Sequence, residues 1–126
     1  VKKNIKGFSF IELIVVVTII AVLSMVGVLS YGQAQRKSRD SRRISDLERI
    51  RMALEMARQA GTTYPASLGV LVPNYIQSIP VNPKGVGYSY GRGPGNYRYG
   101  LGTSMEDLGS TNVSAAGGIN YRVSNP

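Results

Sequence analysis

From Leu13 to Leu29 the chain carries no charged side chain, and the stretch reads Leu-Ile-Val-Val-Val-Thr-Ile-Ile-Ala-Val-Leu-Ser-Met-Val-Gly-Val-Leu. A run of this kind needs a non-aqueous environment, because every buried methylene is worth about 0.8 kcal/mol and every exposed one forgoes it. Counted from Phe8 to Tyr31 the segment has 24 residues, and a helix needs about 20 to cross ~30 Å of hydrocarbon. A membrane-spanning or membrane-parked helix therefore fits. Ahead of it stands a short positive leader with Lys2, Lys3 and Lys6, the charge pattern of an export signal.

The rest of the composition narrows the function classes. The chain has 126 residues, 15 Lys plus Arg against 7 acidic residues, a formal net charge of +8, and neither Cys nor His. Those absences remove disulfide frameworks, the usual structural zinc sites, thiol catalysis and any triad built on an imidazole base. Without an acid pair of useful spacing, an enzyme anchored by one span has no obvious machinery either.

A conventional secretory signal has a shorter apolar core and a small-x-small cleavage site, which this segment lacks. A plain single-span anchor gives no reason for Glu12, since a carboxylate deep in a span costs about 2.5 kcal/mol or more. The residues around the end of the leader, Lys6-Gly7-Phe8-Ser9-Phe10-Ile11-Glu12-Leu13, offer a third reading. They resemble the class III signal of type IV pilins and type II secretion pseudopilins, in which a basic leader, Gly, Phe and a nearby Glu precede a long apolar run. The resemblance implies cleavage by a prepilin peptidase between Gly7 and Phe8 and N-methylation of the new Phe8 amine. It also implies storage in the cytoplasmic membrane and polymerisation by an assembly machine into a homo-oligomeric extracellular or periplasmic filament.

The same resemblance gives Glu12 an assembly role. A carboxylate in apolar surroundings needs a cation, and the freed amine of Phe8 is one. Glu12 has three possible settings: its own terminus, the Phe8 amine of a neighbouring subunit, or the headgroup level as a dipole partner. The family reading favours the neighbour. Many relatives carry a proline well into the mature helix, whereas this chain has Leu29 there and no proline before Pro65, with Gly27 and Gly32 as the nearest helix-weakening residues.

Beyond Tyr31 the helical pattern persists with a different face. Leu47, Ile50, Leu54 and Ala57 fall within about 80° of one another and form one apolar stripe. Gly61 followed by Pro65 predicts the stop, so a single helix is expected from Phe8 to Ala60. The Arg-rich run of this half invites a DNA reading, but its interleaving with Asp40, Asp46, Glu48 and Glu55 favours a solvated face or subunit-to-subunit pairing. Residues 61–126 are rich in proline, glycine and tyrosine. A short helical turn fits at Ser67–Val72, and strands are expected through Val86, Tyr88 and Tyr90, through Tyr97 and Tyr99 after a Gly91–Gly95 turn, and through Ile119, Tyr121 and Val123.

The expected division is a leader at 1–7, a transmembrane and assembly helix at 8–31, its amphipathic continuation at 32–60 and a small β domain at 61–126. The fold class is α+β, a long N-terminal helix packed by a small antiparallel sheet of about three strands, similar to type IV pilins. The order Tyr64-Pro65, Ile79-Pro80-Val81-Asn82-Pro83-Lys84-Gly85, Tyr88-Ser89-Tyr90 also resembles the core of major pseudopilins and short pilins, with Asn82 and Lys84 where that family often has Asp and Trp. Some major pseudopilins bind calcium in the C-terminal loop. The corresponding candidates here are Glu106, Asp107 and Asn112, although two carboxylates without EF-hand spacing favour a plain exposed loop. The function expected is a structural subunit of a pilus or pseudopilus, with a type II secretion pseudopilin or a DNA-binding competence pilin as alternatives.

Overall fold

The computed structural model describes residues 7–107, 109, 111–112, 119 and 121–125. The leader lysines lie outside the described residues. One long helix, α1 (Phe10–Gly61), is followed by a 3-10 turn at Leu68–Leu71 and by strands β1 (Ser89–Arg92), β2 (Tyr99–Thr103) and β3 (Tyr121–Ser124), with a second 3-10 turn at Pro94–Asn96 between β1 and β2. The architecture is α+β, a long helix with a small three-stranded antiparallel sheet, consistent with the expected type IV pilin-like fold. The chain divides into two compact units, residues 1–35 and 36–126.

In the first unit, α1 begins two residues later than its pattern predicts, after the non-helical Gly7, Phe8 and Ser9. The amide of Leu13 donates to the Ser9 carbonyl at 3.2 Å and closes the first turn. Thr18 within the apolar run and Ser30 just after it donate their hydroxyl protons to the carbonyls of Val15 and Val26. That local bonding lets a hydroxyl sit in an apolar helix without an orphaned donor. Every large apolar side chain described from Phe8 to Val28 is at least 44% exposed. The segment is long and apolar enough to cross a membrane, with a mean hydropathy of 2.8 over its most apolar window.

The second unit folds around the helix stripe. Leu47, Ile50 and Leu54 are fully buried with Ala53, and Ala57 packs at the edge of the same core. Tyr64, Leu71, Tyr88, Tyr99 and Leu101 complete it. The helix ends at Gly61, yet the left-handed residue is Thr62, with φ of 66°. Its amide donates to the Arg58 carbonyl at 2.8 Å and satisfies one of the open carbonyls of the last turn.

The sheet is an antiparallel meander in the order β1-β2-β3. Tyr90 faces Leu101, and Leu101 faces Val123, so one cross-strand row points at the helix. The strands are displaced from their expected places. Val86 is exposed, Tyr88 is buried ahead of β1, and Gly91 belongs to the strand rather than to the turn. The hairpin instead turns through Gly93–Asn96, where Gly95 has φ of 73°. Tyr97 lies in that turn with its side chain exposed, and β2 starts at Tyr99. Alternation alone cannot place a strand end, because tyrosine spacing is the same whether the first residue is paired or only packed.

Glycines 100 and 102 lie on the opposite face of β2 from Tyr99 and Leu101. A β-carbon on Gly102 would meet Ile119 Cγ2 at 2.6 Å, so glycine is required there to let Ile119 lie across the strand.

Candidate functional site

The N-terminal site is built from four kinds of group: a flexible residue, an aromatic, a carboxylate and a long apolar helix. Gly7 and Phe8 are exposed and non-helical, directly ahead of α1. A peptide bond in such backbone is not locked into the helical hydrogen-bond ladder, so a protease can draw it into an extended conformation without first unwinding a helix. Glu12 lies in the first turn of α1 and is exposed. It is the single acidic residue among residues 1–39. The open amides of a helix N-terminus carry about half a positive charge, and Glu12 is an anion in that first turn.

The second unit holds an ionic lock that the sequence pattern does not display. Asp40 and Arg43, one turn apart on α1, are each only 1% exposed and paired with one another. Arg43 donates from Nη2 to Glu106 at 2.9 Å and from Nε to Asn82 Oδ1 at 3.1 Å. Arg39 grips Glu106 through two parallel bonds of 2.9 and 2.7 Å, the fork geometry that makes arginine pairs strong. Lys84 Nζ lies 3.2 Å from the same carboxylate. The Asp40 carboxylate in turn accepts the backbone amides of Glu106 and Asp107. Buried charges of this kind persist only when every donor and acceptor is met, and among the described residues no buried side-chain nitrogen or oxygen lacks a partner.

Asn82 is the polar hub. Its Oδ1 accepts from Arg43 and from the amide of Lys84, and its Nδ2 donates to Thr103 Oγ1 at 3.1 Å. It thus joins the helix, the proline loop and the end of β2. A neutral amide suits this place because it both accepts and donates, which an Asp in the family pattern cannot do when ionised. The Arg-rich run is therefore not one solvated face. Arg43, Asp40 and Asp46 turn inward, and Asp46 accepts the Tyr88 hydroxyl at 2.8 Å. Further along, Glu55 accepts the Tyr64 hydroxyl at 2.9 Å, while the Tyr64 and Tyr99 rings meet edge to face with centroids 4.7 Å apart.

Glu106, Asp107 and Asn112 have different partners. Glu106 faces three cations, Asp107 accepts the amide of Gly109, and Asn112 brackets the backbone of Arg122 through both of its amide atoms. Among the described residues no group of three or more His, Cys, Asp or Glu is placed to share a metal ion.

The Arg39 hydrogen bond above all, with those from Arg43 and Lys84, holds the Glu106 carboxyl well below its ordinary range against the opposing effect of desolvation. A carboxyl depressed by folding stabilises the fold above its unfolded pKa, about 4.3, and that contribution fades as pH falls toward the lower folded value. Glu106→Gln is therefore expected to lower the denaturation midpoint at pH 7. The gap to the wild type should close as pH is taken below about 4, as urea titrations of the full chain in detergent would show. A gap that stays constant with pH would contradict the lock.

Comparison with known proteins gives two matches. The prokaryotic N-terminal methylation motif matches residues 2–28. A probable minor fimbrial protein of Dichelobacter nodosus is 34% identical over 61 residues, which take in 48% of this chain and 38% of that protein. The chain thus spans well under half the length of this relative. No solved structure matches. Motif and relative together support the type IV pilin family.

Proposed function

We infer that this type IV pilin-like chain is a structural, non-enzymatic filament subunit, held in the cytoplasmic membrane by residues 8–31 until it is processed and polymerised. The observation that carries this reading is the joint placement of the motif and the apolar helix. Gly7-Phe8 stands in non-helical backbone, Glu12 in the first turn, and an exposed apolar surface follows. An apolar surface of that extent needs lipid before assembly and other helices after it. Packing between helices then replaces lipid contact, and a repeated heterologous contact that does not close generates a helical polymer.

Processing between Gly7 and Phe8 by a prepilin peptidase, with methylation of the Phe8 amine, leaves a compact cation beside Glu12. Pairing of that amine with Glu12 of a neighbouring subunit would set the axial register. The fimbrial relative supports a surface filament of the fimbrial type over a secretion pseudopilus.

The decisive experiment is the N-terminal peptide of the protein in purified filaments, expected to begin with methylated Phe8. Gly7→Val adds a branched side chain at the scissile bond and is expected to hold the protein unprocessed in the membrane fraction and outside filaments. Filaments built from chains that retain Lys6 and Gly7 would overturn the reading.

A further inference from the structure

The charges of the second unit are unevenly used. Residues 36–126 contain twelve lysines and arginines and six acids. All six carboxylates are engaged inside the unit: Asp40 and Glu106 in the lock, Asp46 with Tyr88, Glu48 with Arg51, Glu55 with Tyr64, and Asp107 with the Gly109 amide. Arg36, Lys37, Arg42, Arg49, Arg98 and Arg122 make no side-chain hydrogen bond or ion pair with the described residues. A second copy of the unit brings the same excess of positive charge, and its half-exposed Glu48 already sits beside Arg51.

Two of these cations border a groove whose lining is as much polar as apolar. Arg42, Arg49, Met52 and Met56 lie within about 80° of one another on α1, on a face away from the Leu47 stripe. Across from them stand Pro80 and Val81 of the proline loop, and the space between is about 400 Å³. Met52, Met56 and Val81 are 57%, 47% and 68% exposed. Methionine is unbranched and adapts its shape to an incoming apolar surface. Asp46 also borders the groove, but its carboxylate is held by Tyr88 and is 7% exposed.

We propose that this groove docks an amphipathic acidic segment of a different protein subunit, whose carboxylates meet Arg42 and Arg49 and whose apolar side chains lie on Met52, Met56 and Val81. Charge complementarity argues against a second copy, which carries the same two-to-one excess of cations over carboxylates. The exposed Met52, Met56 and Val81 argue against a bare phosphate backbone, which would leave those side chains in water. The proposal goes beyond filament formation, and the two fail separately, because docking is measured on dispersed protein.

The test uses the full chain in nanodiscs and four fluorescent probes: a Glu/Leu amphipathic helical peptide, its Lys/Leu counterpart, polyglutamate and a short DNA duplex. The Glu/Leu peptide is expected to bind at least tenfold more tightly than polyglutamate or DNA and to weaken with added salt, as exposed charge pairs do. The double variant Arg42→Glu, Arg49→Glu is expected to lose at least tenfold for the Glu/Leu peptide and to gain affinity for the Lys/Leu one. That reversal excludes a mere failure to fold and mere partition into the lipid. Met56→Ser is expected to weaken the Glu/Leu peptide while leaving polyglutamate unchanged. Three outcomes would overturn the proposal: polyglutamate or DNA binding as tightly as the Glu/Leu peptide, affinities indifferent to the charge reversal, or self-association of the chain that the double variant abolishes.

Discussion

Leu54→Asp is expected to unfold the second unit, whereas Met56→Asp, two residues on, should leave its melting temperature nearly unchanged. Leu54 is fully buried in the core with Leu47, Ile50, Tyr64 and Leu101, while Met56 is 47% exposed. Truncating a buried leucine costs about 2 to 5 kcal/mol. The aspartate adds the cost of an unpaired buried charge, or of the proton it must take up to avoid one. A unit of this size has on the order of 5 to 10 kcal/mol in hand, so the loss takes most of it. Exposed substitutions away from special features stay within about 0.5 kcal/mol. Thermal melts of residues 32–126, followed by circular dichroism, check both, and equal melting temperatures would refute the packed face assigned to α1.

The second large effect concerns assembly. Glu12→Gln keeps the shape of the side chain and removes its charge, so membrane insertion and cleavage at Gly7 are expected to proceed as in the wild type. Filament yield is expected to fall sharply. The Phe8 amine, enclosed among apolar helices, would have lost its anion, and breaking a buried pair by removing one partner costs about 3 to 5 kcal/mol per contact. Were Glu12 only a dipole partner at the headgroup level, the loss would be about 0.3 to 1 kcal/mol, and filaments would still form. Sheared-filament yield from cells with matched amounts of cleaved subunit distinguishes the two, with wild-type yield counting against the pairing.

Much of the architecture is legible in the sequence because it is written in periods and runs. An uncharged stretch of that length has one regular conformation that satisfies its backbone in lipid. The 3.6-residue spacing of Leu47, Ile50 and Leu54 likewise selects one face of α1, and the buried core forms on it. Tyr121 and Val123, expected on the third strand, lie in β3 against Leu101 and Thr103 of β2. These features depend on neighbours a few residues apart, which is the range over which a sequence pattern carries geometric meaning.

The polar interior is different in kind. The Arg36–Arg58 run has the same composition whether its charges face water or one another, and nothing local marks Arg43 as buried and Arg42 as exposed. What selects Arg43 is Glu106, 63 positions away, and what selects Asn82 is the meeting of Arg43 with Thr103. The tyrosines follow the same rule: Tyr88 goes inward because Asp46 accepts its hydroxyl, while Tyr97 is left outside by the tight turn at Gly95. The sequence by itself determined the long helix, its apolar face and the N-terminal methylation motif, because each is a property of one segment. Only the tertiary structure decided which charges are buried, where the strands begin and which face of α1 remains open. Those depend on whether a distant group arrives to satisfy a buried donor or acceptor, and a pattern of local spacing does not encode that arrival.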